Sequence, residues 1–310
     1  MGEWKDDVIH GNGVAQFNSG NRYEGTWNNG IIDGKGVLTF ATGDRYDGEW
    51  KEGKMHGYGR YEYADGDVYE GEWVEDKRSG TGRVIYNTAS GLNIESYDGQ
   101  WLNGVMHGHG VYTYADGSVY NGEWNNGEMH GSGILKYTDN NVYEGHFKKD
   151  LKDGFGSLKF GNGDKYEGDF QQDQMHGKGS MMYVNGDKYV GQFEKNLKHG
   201  YGEIQYATGD SYIGDWVDDQ QLGFGVYVYK NGSRYEGMWK ENQRHGTGLF
   251  FCSADQGVYE GEWVNNKKNG KGQLLFKNGM RITGTWNSGI IDTISHLDLA
   301  TDSVWNDPNL

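Results

Sequence analysis

A five-residue pattern, Tyr-x-Gly-x-Trp/Phe, recurs along this chain with a spacing that limits the fold before any other property is considered. It reads YEGTW at Tyr23–Trp27, YDGEW at Tyr46–Trp50, YEGEW at Tyr69–Trp73 and YDGQW at Tyr97–Trp101. It continues as YNGEW, YEGHF, YEGDF, YVGQF, YIGDW, YEGMW and YEGEW, and ends with ITGTW at Ile282–Trp286. The closing aromatics stand at positions 27, 50, 73, 101, 124, 147, 170, 193, 216, 239, 263 and 286; nine of the eleven intervals are 23 residues, the others 28 and 24. Trp4 precedes Trp27 by the same 23 residues, so the chain opens inside a unit. Seven residues after each closing aromatic, from Trp4 to Trp263, comes Gly-x-Gly, as in Gly11-Asn12-Gly13. Such a period marks a repeat architecture, in which each unit is one supersecondary element that buries its apolar face only by stacking on its neighbours.

The spacing within a unit predicts strands. Each pentad alternates with period two, so Tyr, Gly and Trp share one face and the intervening, mostly acidic residues share the other. The second half-unit follows the same logic: in GYGRYEY, Gly57, Gly59, Tyr61 and Tyr63 have one parity, and in GFGSLKF, Gly154, Gly156, Leu158 and Phe160 do. Tetrads such as Asp65-Gly66-Asp67 with their neighbours suggest tight hairpins with positive φ, and KEGKMH suggests a polar loop between pentad and Gly-x-Gly. The expected fold is all-β: an elongated single-layer antiparallel β-meander solenoid of about twelve 23-residue hairpin repeats, with an aromatic and Gly-lined groove.

Composition then acquires a meaning. Leu, Ile, Val and Phe are scarce and the net charge is −16, a combination that by itself suggests disorder. The 11 Trp and 23 Tyr contradict that, and the repeat explains both facts by making the apolar layer aromatic. Of the 54 Gly, 36 are the pentad Gly and the Gly-x-Gly pair, and parity predicts that all lie on the aromatic face as a floor for the rings. A strand Gly costs roughly 0.5–1 kcal/mol. A ring burying about 150–250 Å² at ~25 cal/mol/Å² more than offsets it. One Cys in 310 residues excludes a disulfide framework or a Cys-rich zinc module, and no apolar run suggests a signal peptide or a spanning helix. A cytoplasmic protein is therefore expected. The acidic balance disfavours nucleic acid and anionic lipid as partners.

This pattern of YEGEW, a loop and HGxG every 23 residues resembles the MORN repeat (membrane occupation and recognition nexus) over roughly residues 2–289. His ends the loop at His10, His56, His107, His130, His176, His199 and His245, and is replaced by Asp33, Ser79, Asp153, Leu222 and Asn269. Insertions fall near Asn87–Glu95 and Ser253–Gly257. Enzymes that carry this repeat, such as plant phosphoinositide kinases and a lysine methyltransferase, have a separate catalytic domain, for which the 21 residues after Gly289 leave no room. The resemblance is to MORN-only scaffolds, the radial spoke head components of cilia and protist cytokinetic scaffolds. It implies a non-enzymatic role, with dimerisation and docking of partner proteins in a cytoskeletal, ciliary or axonemal assembly. The alternatives are a peripheral membrane module that binds phosphoinositides and, third, a carbohydrate-binding aromatic repeat.

Candidate sites are few. Successive loop His are two strands apart, about 10 Å, too far to share a metal at bonds of ~2.1 Å, and loop capping explains them. Turns such as Thr42-Gly43-Asp44 lack the closing Glu of a calcium loop. There is no P-loop, dinucleotide fingerprint or nucleophile elbow, so no catalytic, cofactor or metal residue is assigned. The loops carry 14 Lys/Arg, including Lys148, Lys149, Lys152, Lys195, Lys198, Lys267 and Lys268, but also 14 Asp/Glu, so at most weak lipid binding is expected. The polar face is a ladder of acids such as Glu24, Asp47 and Glu70 beside bases such as Lys35, Arg60 and Arg83. That pattern breaks late in the chain, where Ile213, Phe224, Val226, Val228, Met238, Leu249 and Phe251 have outward parity on adjacent strands. They are expected to form one apolar patch, the interface for a homodimer or a partner. Trp124, Tyr143 and Phe170 represent the groove aromatics, either core or floor for a bound peptide. The array is assigned to 1–289, with partial first and last units. Residues 290–310 form a capping or partner-binding tail in which Ile290, Ile291, Ile294 and Leu297 have rough helical spacing.

Overall fold

A computed structural model describes residues 2–87, 94–254 and 257–300. Among them there are only strands and turns, and no helix. The chain divides into two compact units, one up to Gly161 and one from Asn162. The first carries β1 (Gly2–Lys5), β2 (Val8–Gln16), β3 (Arg22–Asn28), β4 (Ile31–Thr39), β5 (Arg45–Lys51), β6 (Lys54–Glu62), β7 (Val68–Val74), β8 (Lys77–Ile85), β9 (Ser96–Leu102), β10 (Val105–Thr113), β11 (Val119–Asn125), β12 (Glu128–Lys136), β13 (Val142–Lys148) and β14 (Leu151–Lys159). The second carries β15 (Lys165–Gln171), β16 (Gln174–Met182), β17 (Lys188–Glu194), β18 (Leu197–Gln205), β19 (Ser211–Val217), β20 (Gln220–Val228), β21 (Arg234–Lys240), β22 (Gln243–Cys252), β23 (Gly257–Val264), β24 (Lys267–Leu275), β25 (Arg281–Asn287) and β26 (Ile290–Asp298). Within each unit every strand pairs antiparallel with the next, so each is an open β-meander of stacked hairpins.

The two connections of each repeat are the reverse of the sequence expectation. The polar segment KEGKMH is mostly strand: β5 ends at Lys51, β6 starts at Lys54, and only Glu52 and Gly53 turn. Both have positive φ, 52° and 80°, the backbone of the two-residue type I′ hairpin. Tyr63–Asp67, expected as the tight turn, is a five-residue loop closed by Tyr63 N–H to Asp67 C=O at 2.9 Å and Gly66 N–H to Tyr63 C=O at 2.9 Å. Polarity reads the same in a long loop and in strand residues on a solvated face, which is why composition did not separate the two.

The pairing also contains a bulge that parity does not foresee. Gly48 pairs with Gly59 but Glu49 pairs with His56, so Gly57 and Tyr58 find no partner on β5. Gly57 lies in the left-handed region at φ 60°, and a Cβ there would meet the Glu49 carboxylate on the outer face. The first Gly of Gly-x-Gly is therefore a bulge residue facing outward, not part of the aromatic floor. The second Gly and the pentad Gly do form that floor: a Cβ on Gly179 would lie 2.5 Å from Cε2 of Tyr166.

The core of each unit is the aromatic face itself. The pentad Tyr from Tyr23 to Tyr235 are wholly inaccessible and Tyr259 nearly so. Each sits edge-on between two closing aromatics. Tyr46 meets Trp50 at 5.0 Å and Trp73 at 5.4 Å, and Tyr212 meets Trp216 at 5.2 Å and Trp239 at 5.3 Å. Edge-to-face pairs contribute about 0.5–1.5 kcal/mol beyond area burial. The polar handles are satisfied locally, with Tyr46 donating to Glu49 C=O at 3.0 Å and Trp50 Nε1 to Gly36 C=O at 3.1 Å. Among the described residues of each unit, the sheet buries large side chains by laying them along its own Gly-bare strips.

Residues 290–298, with their helical spacing, form a strand instead. β26 pairs with β25, with Trp286 opposite Ile291 and Ile282 opposite Leu297. An exposed sheet edge offers backbone partners to each new segment, and that overrides a weak 3.6-residue signal. The remaining tail residues, 301–310, lie outside the described residues.

Candidate docking face and aromatic face

The outer face of the second unit brings most of the expected patch together and divides the rest. Ile213 on β19 is directly opposite Val226 on β20. Phe224 on β20 is directly opposite Met238 on β21. Val228 continues the same strand face, and Phe224 is 56% exposed. Leu249 and Phe251 on β22 are set apart, because β21 places Glu236 opposite Leu249 and Arg234 opposite Phe251. The Arg234 guanidinium lies 4.4 Å from the Phe251 ring centroid and pairs with Glu236 at 2.8 Å. The apolar surface is therefore a compact group on β19–β21, with a charged stripe before Leu249 and Phe251.

Sequence reading missed Tyr201, which is 58% exposed on β18. It occupies the middle of Gly-Tyr-Gly as Phe224 occupies the middle of Gly-Phe-Gly, and that shared position was the available signal. Tyr201 pairs with Asp215, whose carboxylate accepts the Phe224 N–H at 3.2 Å. Two large rings thus flank one acid on the outer face. Tyr58 and Phe155 hold the same position in the first unit and are equally exposed.

The groove aromatics are core. Trp124 is wedged edge-on against Tyr120 at 5.1 Å and Tyr97 at 5.4 Å, Tyr143 against Phe147 at 5.1 Å, and Phe170 against Tyr166 at 5.1 Å. All three are buried, Tyr143 completely.

Several basic residues counted as loop charge lie on this aromatic face instead. Arg78 stacks 4.1 Å from the Trp101 centroid, Lys198 lies 5.3 Å from Trp216, Arg244 lies 4.4 Å from Trp263, and Lys268 lies 4.6 Å from Tyr259. Lys152 lies 5.7 Å from Tyr143. The cause is the early start of the nine-residue strands, which puts each of these residues beside a closing aromatic, as in Trp73 opposite Arg78. Burial lowers the Lys268 amine below its usual range. Cations held against rings are withdrawn from the edge where an anionic membrane surface would meet them.

The turn residues are structural staples. Asp44 accepts Ala64 N–H at 2.8 Å and Tyr61 O–H at 3.1 Å from the next hairpin, and Asp210 accepts Lys230 N–H at 2.7 Å and Tyr227 O–H at 3.0 Å. Those bonds, the Lys230 N–H first, hold the Asp210 carboxyl below its usual range. His10 Nδ1 accepts Asn29 N–H at 3.4 Å, and Asp33 accepts the equivalent Glu52 N–H at 3.2 Å, which explains the exchange of His for Asp at the loop end. Among the described residues no three His, Cys, Asp or Glu side chains are grouped as a metal site.

No curated protein matches this sequence. Among solved structures, the wild-type TCP10 domain of Danio rerio CPAP is similar at 16% identity, covering 65% of this chain and 93% of that one, with a TM-score of 0.36. The SAS-4 (dCPAP) TCP domain of Drosophila melanogaster, solved in complex with a proline-rich motif of Ana2 (dSTIL), is similar at 13% identity, covering 66% and 90%, with a TM-score of 0.28. The MORN repeat model matches residues 1–22, 23–45, 46–68, 69–88, 97–119, 120–142, 143–165, 166–188, 189–211, 212–234, 235–254 and 259–281, the same units that the pentads delimit. Twelve matched repeats over most of the sequence, eleven of them opening on a Tyr whose ring is laid on paired Gly, place this chain in the family of MORN repeat proteins.

Proposed function

We propose that this chain is a scaffold that acts by docking partner proteins and not by catalysis. The observation that carries the reading is the exposed apolar group on β19–β21, with Ile213 against Val226 and Phe224 against Met238. The core of this fold is on the opposite face, so packing does not account for these residues. On a face otherwise built from ion pairs such as Arg45–Asp47 at 2.7 Å and Lys165–Glu167 at 3.4 Å, an aromatic, a thioether and branched aliphatics favour a protein partner over a charged ligand. The sites where partners assemble, in this reading, are cytoplasmic and cytoskeletal, in a cilium, axoneme or comparable structure. A second copy of the chain is one such partner.

Phe224→Asp with Met238→Asp tests this. Co-purification from the native cell should lose partners that the unaltered chain retains. Light scattering should show lower mass if the partner is a second copy. An unchanged set of co-purified proteins together with an unchanged mass refutes the reading. Sedimentation with phosphoinositide liposomes at physiological salt separates the membrane alternative, and strong binding there would replace the scaffold reading.

A further inference from the structure

Eleven of the twelve units carry an aromatic residue four positions after the second Gly of Gly-x-Gly, as at Tyr137, Tyr183, Tyr206 and Tyr229; Cys252 is the exception. The unit before Cys252 shows what such a ring does. Tyr229 packs on Tyr227 beside it, with centroids 4.6 Å apart, and on Phe250 of the next unit at 6.0 Å. In other units the ring also receives a donor from the following hairpin. Lys152 Nζ donates to the Tyr137 hydroxyl at 3.1 Å, Lys198 Nζ to that of Tyr183 at 3.4 Å, and Gln221 Nε2 to that of Tyr206 at 3.3 Å. Donor and ring are 15 residues apart in each pair. With the residue added near Ser253–Gly257, the matching partner of Cys252 is Lys268.

A thiol is too short to fill the place of a tyrosine, and the space it leaves is a cavity of about 170 Å³ lined by Phe250, Cys252, Tyr259, Lys268, Leu274 and Phe276. Phe250 and Leu274 stand to Cys252 as Tyr227 and Phe250 stand to Tyr229, so the two walls that hold a ring elsewhere are both in place. The donor is in place as well. Lys268 Nζ lies 4.6 Å from the Tyr259 ring centroid and, among the described residues, has no hydrogen-bond or ion-pair partner. Burial without an acceptor lowers its amine below the usual range. The space is large enough for a six-membered ring, since an apolar cavity of about 150 Å³ takes up benzene.

We infer that this cavity is a binding site for a para-substituted phenol, whose ring takes the place of the missing tyrosine between Phe250 and Leu274 and whose oxygen meets Lys268 Nζ. The walls set the class of ligand. Aromatic and aliphatic side chains favour a flat apolar body, and the single amine asks for one acceptor at its far end. A ring without an oxygen fills the space but leaves the amine unpaired. The site lies on the aromatic face, opposite the docking group on β19–β21, so occupancy of one does not require the other.

Cys252 is the only Cys of the chain, so its alkylation by iodoacetamide reports occupancy without labelling elsewhere. The probe is p-cresol, the tyrosine side chain without its backbone. At saturation p-cresol should slow alkylation of the full chain at least about tenfold and raise Tm. Toluene should require at least about tenfold higher concentration for the same effect, because it offers the charged donor no acceptor. Lys268→Met should bring the two probes level. Cys252→Tyr supplies the ring from the chain itself, so Tm should rise and p-cresol should no longer shift it. N-acetyltyrosinamide separates the two sources of such a ring: binding as tight as that of p-cresol marks a tyrosyl side chain of a partner as the natural occupant, and weaker binding marks a free phenol. Unchanged alkylation in p-cresol overturns the proposal. So does toluene binding as tightly as p-cresol to the unaltered chain, or a p-cresol shift that survives in Cys252→Tyr.

Discussion

The pairing of Gly with ring is the most demanding element of this fold, and Gly179→Ala measures it. Gly179 on β16 lies opposite Gly168, and a Cβ there would stand 2.5 Å from both Cε2 and the hydroxyl of Tyr166 and 2.7 Å from Cζ. A Cβ there overlaps the ring, so the ring has to lift. Lifting gives up its edge-on contacts with Phe170 at 5.1 Å and Phe193 at 5.0 Å, each about 0.5–1.5 kcal/mol. It also breaks the Tyr166 O–H bond to Asp169 C=O at 2.8 Å, about 1 kcal/mol. Overpacking adds about 1–3 kcal/mol, and the reduced freedom of the unfolded chain returns about 0.4–1. The net cost is about 2–7 kcal/mol, with about 4 kcal/mol as the midpoint. Gly279→Ala is the control, since at φ 84° nothing lies within 4 Å of its Cβ and only the left-handed strain of about 1–2 kcal/mol applies. Hydrogen exchange of β15 and β16 reads the local opening energy, and guanidinium unfolding reads the whole. On a Tyr166→Ala background the Gly179→Ala cost should fall below about 1 kcal/mol, because the ring it strikes is gone. Costs of Gly179→Ala and Gly279→Ala within about 1 kcal/mol of each other, or no coupling to Tyr166, refute the floor.

Other predictions follow from the same geometry. Asp210→Ala removes acceptors for Lys230 N–H and Tyr227 O–H and should cost about 1–3 kcal/mol at pH 7. The Asp210 carboxyl is held below its unfolded value, so its contribution is present above about pH 4 and fades as pH falls through the lower folded value. A wild-type-to-variant gap that persists undiminished at pH 2 refutes this. Burial pushes the Tyr23, Tyr114 and Tyr259 phenols up to about 12, which favours their neutral form in the fold. That stability is complete below about pH 10 and lost as pH rises toward 12. Tyrosinate absorbance at 295 nm should therefore rise together with loss of the β-sheet circular dichroism signal. Ionisation of all tyrosines near pH 10 with the signal intact would contradict the ring burial. Arg234→Ala should expose Phe251 and join it to the β19–β21 apolar group, increasing binding of an apolar dye; unchanged dye binding would show that the stacked guanidinium at 4.4 Å does not mask the ring.

The period of 23 and the alternation of Tyr, Gly and Trp were sufficient for the all-β meander, its buried face and the polar ladder opposite. They were sufficient because a strand's side-chain direction has period two and a stacked repeat admits one solution for all units. Outward parity likewise put Ile213, Phe224, Val226 and Met238 on one face, where pairing sets Ile213 opposite Val226 and Phe224 opposite Met238. What sequence could not supply was decided by pairing between strands. The bulge at Gly57 breaks parity, so that Gly turns from the aromatic floor to the outer face. The two-residue turns equivalent to Glu52-Gly53, such as Glu75-Asp76, Lys195-Asn196 and Asn265-Asn266, lengthen the strands that follow them and carry bases such as Arg78, Lys198 and Lys268 onto the rings. Cross-strand register puts Arg234 and Glu236 between Val226 and Leu249 and so divides the patch. At β26 an available edge made a strand of residues spaced like a helix. Local sequence fixes which way a residue points only while the ladder is regular; wherever the ladder shifts, the partner strand decides.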